Sequence, residues 1–182
     1  DEHTSRGLGD VYKRQIHGYC QSGDFMAKSF SNTSRRQMSS VQVNNAVKAF
    51  RNPSRWPEWN TVAQNLLASK PDAMEEGDRL AVFQTIKGSL IETKWVVNSI
   101  REGDDFCEIE LLGEGQFRNE RQIAKGLKNL RVCITFLSAD DGGIEVYSSC
   151  EVSRLMAVFA KQINRFVKQK TDQFLNDLSK VE

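Results

Sequence analysis

Histidine is nearly missing from this 182-residue sequence, which has only two, His3 and His17. Both lie near the start, so the rest of the chain has no imidazole for a Ser–His or Cys–His dyad and none to ligate a metal. Cysteine is sparse as well. Cys20, Cys107, Cys133 and Cys150 form no Cys-x-x-Cys pair, which argues against zinc and redox motifs. Three of them sit in strand-like runs, where a free thiol behaves as a small hydrophobe. A reducing cytoplasm is the compartment that fits this usage. There is no Walker A loop and no Gly-x-Gly-x-x-Gly. No apolar run approaches the ~20 residues of a membrane span. The formal net charge of +1 supplies no field to attract nucleic acid. The first residues are polar and lack the apolar core of a secretory signal. What remains is 39% hydrophobic and 27% charged, ordinary for a globular chain able to bury one core.

Two regions are expected. Residues 1–24 form a head that is polar, Gly-spaced and without periodicity, and so disordered or non-native. Thr4 to Gln15 resembles a translated sequencing adaptor, and Met26 is then the expected start. Residues 25–182 form one domain. Its first strand, Phe25 to Met38, is weak and polar. Ser39 or Ser40 caps a short helix through about Phe50, with Val43, Val47 and Phe50 on one face. Asn52-Pro53 ends it, and Trp56-Pro57-Glu58-Trp59 makes a second short turn.

Period-two alternation follows over 61–69, 79–87, 89–100, 106–113, 127–139 and 144–153, broken by Pro71-Asp72, Glu76-Gly77-Asp78, Lys87-Gly88, Glu102-Gly103-Asp104 and Asp140-Asp141-Gly142-Gly143. Short breaks mean hairpins and an antiparallel sheet. Residues 114–126 read as a polar connection. Ile91, Thr93, Trp95, Val97 and Ser99 share one face. Cys107, Ile109 and Leu111 do likewise, as do Leu130, Val132, Ile134 and Phe136, and Val146, Ser148, Cys150 and Val152. A sheet with one greasy face needs a cover. The run from Ser153 to Lys180 provides it. Leu155, Phe159, Ile163, Phe166, Val167, Phe174 and Leu178 fall on one stripe of a helix roughly 40 Å long, capped by Ser153. Lys161, Arg165, Lys168, Asp172 and Asn176 mark its wet face.

This order of elements resembles the helix-grip domain of the START-like (SRPBCC) superfamily, which includes polyketide cyclases/dehydrases and lipid-transfer domains. Val47 to Trp59 is similar to that family's helix followed by a Trp-Pro-x-Trp corner, with Asn52 where the family often has Asp. Glu76-Gly-Asp-Arg79 is similar to its strand opening. Lys170 to Leu175 resembles the last helix of the superfamily's carbon monoxide dehydrogenase branch. The resemblance implies an α+β fold: about seven antiparallel strands curved around a long C-terminal helix, two short helices after the first strand, and an elongated apolar cavity between sheet and helix.

The expected cavity residues are Trp56, Trp59, Thr93, Trp95, Val97, Ile109, Leu111, Val132, Ile134, Phe136, Val146, Ser148, Phe159, Ile163 and Phe166. The tryptophans read either as ligand contacts or as core plugs. No metal and no cofactor is expected. The expected partner is an apolar small molecule such as a lipid, an isoprenoid or a polyketide-like aromatic. A cyclase or dehydratase using the same cavity is the enzymatic alternative, with Glu58 or Glu92 as acid or base, although Glu92, Glu108 and Glu110 also read as solvated strand carboxylates. A third reading docks the basic helix face on a membrane or a partner. The ligand and the oligomeric state are not legible. If the last helix is gripped, Phe159→Ala or Phe166→Ala should each cost ~3–5 kcal/mol.

Overall fold

The computed structural model describes residues 28–86, 88–139 and 142–181. The head, with His3, His17, Cys20, Phe25 and Met26, lies outside the described residues, as do Lys87 and the Asp140-Asp141 turn. The first strand, β1 (Lys28–Gln37), pairs along its whole length with β8 (Gly143–Val152), from Lys28 against Val152 to Gln37 against Gly143. Its polarity has a structural cause. It is an edge strand, and its side chains reach the last helix through hydrogen bonds rather than apolar packing.

Helix α1 (Ser40–Phe50) begins with a reciprocal capping box between Ser39 and Gln42 and buries Val43, Ala46, Ala49 and Phe50. A 3-10 turn, Pro53–Arg55, leads into α2 (Trp56–Trp59). The Trp56 indole N–H donates to the Phe50 carbonyl at 2.7 Å, and the two rings lie 4.8 Å apart. The corner is therefore closed by one hydrogen bond and one ring contact.

The remaining strands are β2 (Asn65–Ala68), β3 (Arg79–Ile86), β4 (Ser89–Glu102), β5 (Phe106–Arg118), β6 (Arg121–Ile123) and β7 (Leu127–Leu137). The sheet is antiparallel in the order β1-β8-β7-β5-β4-β3-β2, with β6 paired to β5. The Glu-Gly-Asp-Arg stretch is a corner device. Gly77 takes φ +84°, its N–H reaches the Val97 carbonyl, and buried Asp78 accepts from Ser69 Oγ and Glu75 N–H.

Four expectations need correction. Residues 114–126 are not a plain connection. β5 runs on to Arg118, and Asn119 and Glu120, both at positive φ, turn it into β6. That backbone matches a two-residue hairpin turn, here without the usual glycine. Ser99 does not share the face of Val97. The β4–β5 register slips between Val97 and Ser99, so Ser99 stands opposite Glu110 and Ile100 opposite Ile109. The last helix is not continuous from Ser153. A 3-10 segment, Arg154–Phe159, precedes α3 (Ala160–Leu178), and the Ser153 side chain makes no capping bond. Leu155 is 86% exposed rather than part of the buried stripe.

The core gathers under α1 and the C-terminal end of α3. Phe50, Phe136, Ile109 and Leu178 are fully buried there, and Phe50 meets Phe136 and Phe174 at 5.9 and 6.0 Å. Phe159 and Phe166, toward the other end of the helix, are 51% and 40% exposed. The expected cost of truncating them is therefore too high. Phe50→Ala should lose ~3–5 kcal/mol in urea unfolding, whereas Phe166→Ala should lose less than ~1 kcal/mol. Equal losses at both positions would contradict this distribution of the core.

Candidate ligand-binding cavity

Helix α3 is fastened along one flank and at one end. On the flank, Asn32 Nδ2 donates to Asn164 Oδ1 at 2.9 Å, and Ser34 donates to Asp172, both from the β1 edge. Arg36 reaches Asn176 and Ser179. At the end, the buried carboxylate of Asp177 accepts from Thr61 N–H at 3.1 Å and from the Thr61 hydroxyl. Between these ties and the inner face of β3, β4, β5, β7 and β8 lies a cavity of about 920 Å³. That is at the upper end of the usual range for small-molecule sites.

Of the expected residues, Trp56, Thr93, Trp95, Leu111, Val132, Ile134, Val146, Ser148, Phe159, Ile163 and Phe166 line it. Four do not. Val97, Ile109 and Phe136 have the right strand parity but lie toward the α1 end, where the core closes the space, and they are fully buried. Trp59 packs between Trp56 and Phe174 at 5.9 and 5.7 Å and plugs that same end. Its buried indole N–H has no partner among the described residues. Parity alone does not distinguish a cavity wall from a plugged end.

Neither acid candidate is in the wall. Glu58 is exposed and paired with Arg55 at 3.0 Å, and Glu92 lies on the outer face near Lys94. Among the described residues the wall contains no Asp, Glu, His, Cys or Tyr, and its two ionisable members there are Arg118 and Lys170. Glu108 and Glu110 are on the outer face, as expected, but they are not solvated. They are 5% and 8% exposed and paired with Arg101 and with Arg131 and Asn98. Among the described residues, no three or more His, Cys, Asp or Glu side chains come together to hold a metal.

Sequence reasoning found Thr93 and Ser148 but missed the rest of the polar wall. Gln84 sits in β3, Gln116 in the unexpected extension of β5, and Thr171 in α3. Ser148 Oγ and Thr171 Oγ1 lie 3.2 Å apart and bond to each other. Thr93 Oγ1 and Gln84 Oε1 are buried with no hydrogen-bond partner. Gln84 and Gln116 are recognisable in hindsight as polar residues at inward parity. The pairing of Ser148 with Thr171 joins positions 23 apart and has no sequence signal.

The thiols of Cys107, Cys133 and Cys150 are outside the cavity. Burial, reinforced by the neighbouring charges of Glu108 and Glu110, pushes the Cys133 thiol up to about 12. Burial also raises Cys107 and Cys150. All three thus stay protonated and poorly nucleophilic at neutral pH. Iodoacetamide at neutral pH should leave them unmodified in the folded protein and label them once it is unfolded, as read by peptide mass mapping. Below the unfolded pKa the Cys133 thiol is protonated in both states, and above it only the unfolded chain can ionise freely. Cys133 should therefore cost stability as pH rises from its ordinary value of 9.0 toward about 12.

No family model and no curated protein matches the sequence. Solved structures do match. A hypothetical protein from Helicobacter pylori superposes with a TM-score of 0.59 at 16% identity, over 84% of this chain and 86% of that one. Truncated norcoclaurine synthase from Thalictrum flavum gives 0.60 at 10% identity, over 87% and 96%. The di-domain ARO/CYC protein StfQ of the steffimycin biosynthetic pathway gives 0.59 at 14% identity, over 85% of this chain and 50% of that one. At such identities the likeness speaks for architecture, and with the sheet order and the fastened last helix it leads to one statement: the chain has the START-like helix-grip fold.

Proposed function

We propose that the protein binds an apolar small molecule (a lipid, an isoprenoid or a polyketide-like aromatic) in the space between sheet and α3. The observation that carries this reading is the composition of the wall. A cavity of about 920 Å³ is bounded largely by Ile, Leu, Val, Phe and Trp side chains and, among the described residues, offers no acid, imidazole, thiol or phenol. Burying ~500 Å² of ligand surface contributes roughly 12 kcal/mol at ~25 cal/mol/Å². After an association cost of at least ~4 kcal/mol, about micromolar affinity remains. The ARO/CYC protein and the norcoclaurine synthase give the enzymatic alternative a precedent of fold. The wall itself does not favour it, because Glu58 and Glu92 lie elsewhere.

A specific observation favours a second role beside the first. Leu155 and Val158 are 86% and 85% exposed in the 3-10 segment before α3, next to Phe159 of the cavity wall. Lys161 and Arg165 are exposed one and two turns on. Exposed apolar side chains followed by cations on the same segment suit contact with an anionic membrane beside the cavity. No helix among the described residues is long and apolar enough to cross a membrane. Co-sedimentation with anionic liposomes should therefore fall with salt and fall again in a Leu155→Ser/Val158→Ser variant. Binding indifferent to both would remove this role.

The main test uses a fluorescent fatty acid and a naphthalene dye. Both should bind with about micromolar Kd and be displaced by lipid extract. Ile163→Trp, which fills the space from the helix side, should weaken binding more than tenfold without moving the urea midpoint by more than a few tenths of a molar. Folded protein that binds neither probe would end the proposal.

A further inference from the structure

The concave face contains two buried hydroxyls in different circumstances. Ser148 on β8 is bonded by Thr171, because α3 passes close over that strand. Thr93 on β4 is 3% exposed and lines the cavity, yet its Oγ1 has no partner among the described residues. An unpaired hydroxyl buried this deeply is costly, so its persistence calls for an explanation.

Its surroundings supply one. Thr93 stands opposite Gln116 on β5 and opposite Val82 on β3, and Gln84 is paired with Ile91. Gln84 is thus the diagonal neighbour of Thr93, about 7–8 Å away between backbones and within reach of a glutamine side chain. Gln84 Oε1 is also buried and unpartnered, and all three side chains line the cavity. They form a polar stripe across three adjacent strands of an otherwise greasy wall. The stripe contains a hydroxyl that can donate, an amide oxygen that needs a donor and a second amide. One ligand hydroxyl satisfies the first two at once, by accepting from Thr93 O–H and donating to Gln84 Oε1. An ether or ketone oxygen satisfies only Thr93, and a hydrocarbon satisfies neither.

We infer that Gln84, Thr93 and Gln116 form a hydroxyl-reading subsite, and that the guest is an apolar body bearing a hydroxyl group rather than a plain hydrocarbon. This rests on the ligand-binding reading above and narrows its ligand class to alcohols and phenols.

Three probes on one skeleton test it: β-naphthol, β-methoxynaphthalene and β-methylnaphthalene, each titrated by displacement of the naphthalene dye. The wild-type protein should prefer the naphthol over the methyl compound by about fivefold to thirtyfold, the value of one to two hydrogen bonds in a buried site. The methoxy compound should fall well below the naphthol. Thr93→Val keeps the shape and removes the hydroxyl, so the preference should shrink toward one, with the methyl compound bound as well as before or better. Gln84→Leu should shrink it as well. Equal binding of all three by wild type would overturn the inference while leaving the cavity reading intact, as would a methoxy compound that matches the naphthol. A preference that survives both variants would also overturn it. Failure of every probe and of the dye would overturn both readings together.

Discussion

The buried carboxylate of Asp177, bonded to the backbone and hydroxyl of Thr61, determines where everything else can go. A carboxylate near a helix C-terminus opposes the helix dipole, so it is tolerated here for its hydrogen bonds rather than for its charge. It ties the end of α3 to the residues that follow the Trp-Pro-Glu-Trp corner. Beside it the rings of Phe50, Trp56, Trp59 and Phe174 close on one another within 6.0 Å. The helix is thus anchored at one end by a polar clasp and an aromatic plug. Along its length the polar ties come from one side, from the β1 flank and from Ser148 of the neighbouring β8. A rod held at one end and on one side cannot press its whole apolar stripe onto the sheet. The space beneath the free side is the cavity.

How much of this was visible in the sequence depended on whether the cause was local. Strand alternation is local, and it placed Thr93, Trp95, Val132 and Ser148 correctly on the inner face. The bulge at Asn98 is not signalled by any glycine, and it reversed the parity of Ser99. The break between the 3-10 segment and α3 has no proline behind it, so periodicity ran straight through and assigned Leu155 to the buried stripe. The turn at Asn119-Glu120 uses positive φ without glycine and concealed an entire hairpin. Val97, Ile109 and Phe136 show a deeper limit. They share parity and chemistry with true wall residues, and only the plug of aromatic rings decides that their end of the sheet is filled.

The two faces of the sheet divide the chemistry between them. The outer face carries the carboxylates, and even there Glu108 and Glu110 are sheltered by Arg101, Arg131 and Asn98. Desolvation of such pairs offsets much of their attraction, so they contribute order to the sheet more than net stability. The inner face carries hydroxyls and amides. A carboxylate placed there would meet low dielectric and would ionise only at raised pH, which is what an acid catalyst needs. Neutral polar groups orient a guest without reacting with it. Among the described residues the acids thus face outward and the neutral polar groups face the cavity.

The same geometry separates stability from recognition. The groups that hold α3 in place are Asn164, Asp172, Asp177 and the aromatic plug. The groups that face the cavity from the free side of the helix are Phe159, Ile163, Phe166 and Lys170. Ser148 and Thr171 belong to both sets, since their mutual bond fastens the helix and also finishes a patch of the wall. Where α3 comes close, as at Ser148, the protein satisfies its own polar group. Where it stands away, as at Thr93, the protein leaves that group to whatever enters. The one-sided attachment of the helix therefore sets the volume of the cavity and also which of its polar groups are available to read a ligand.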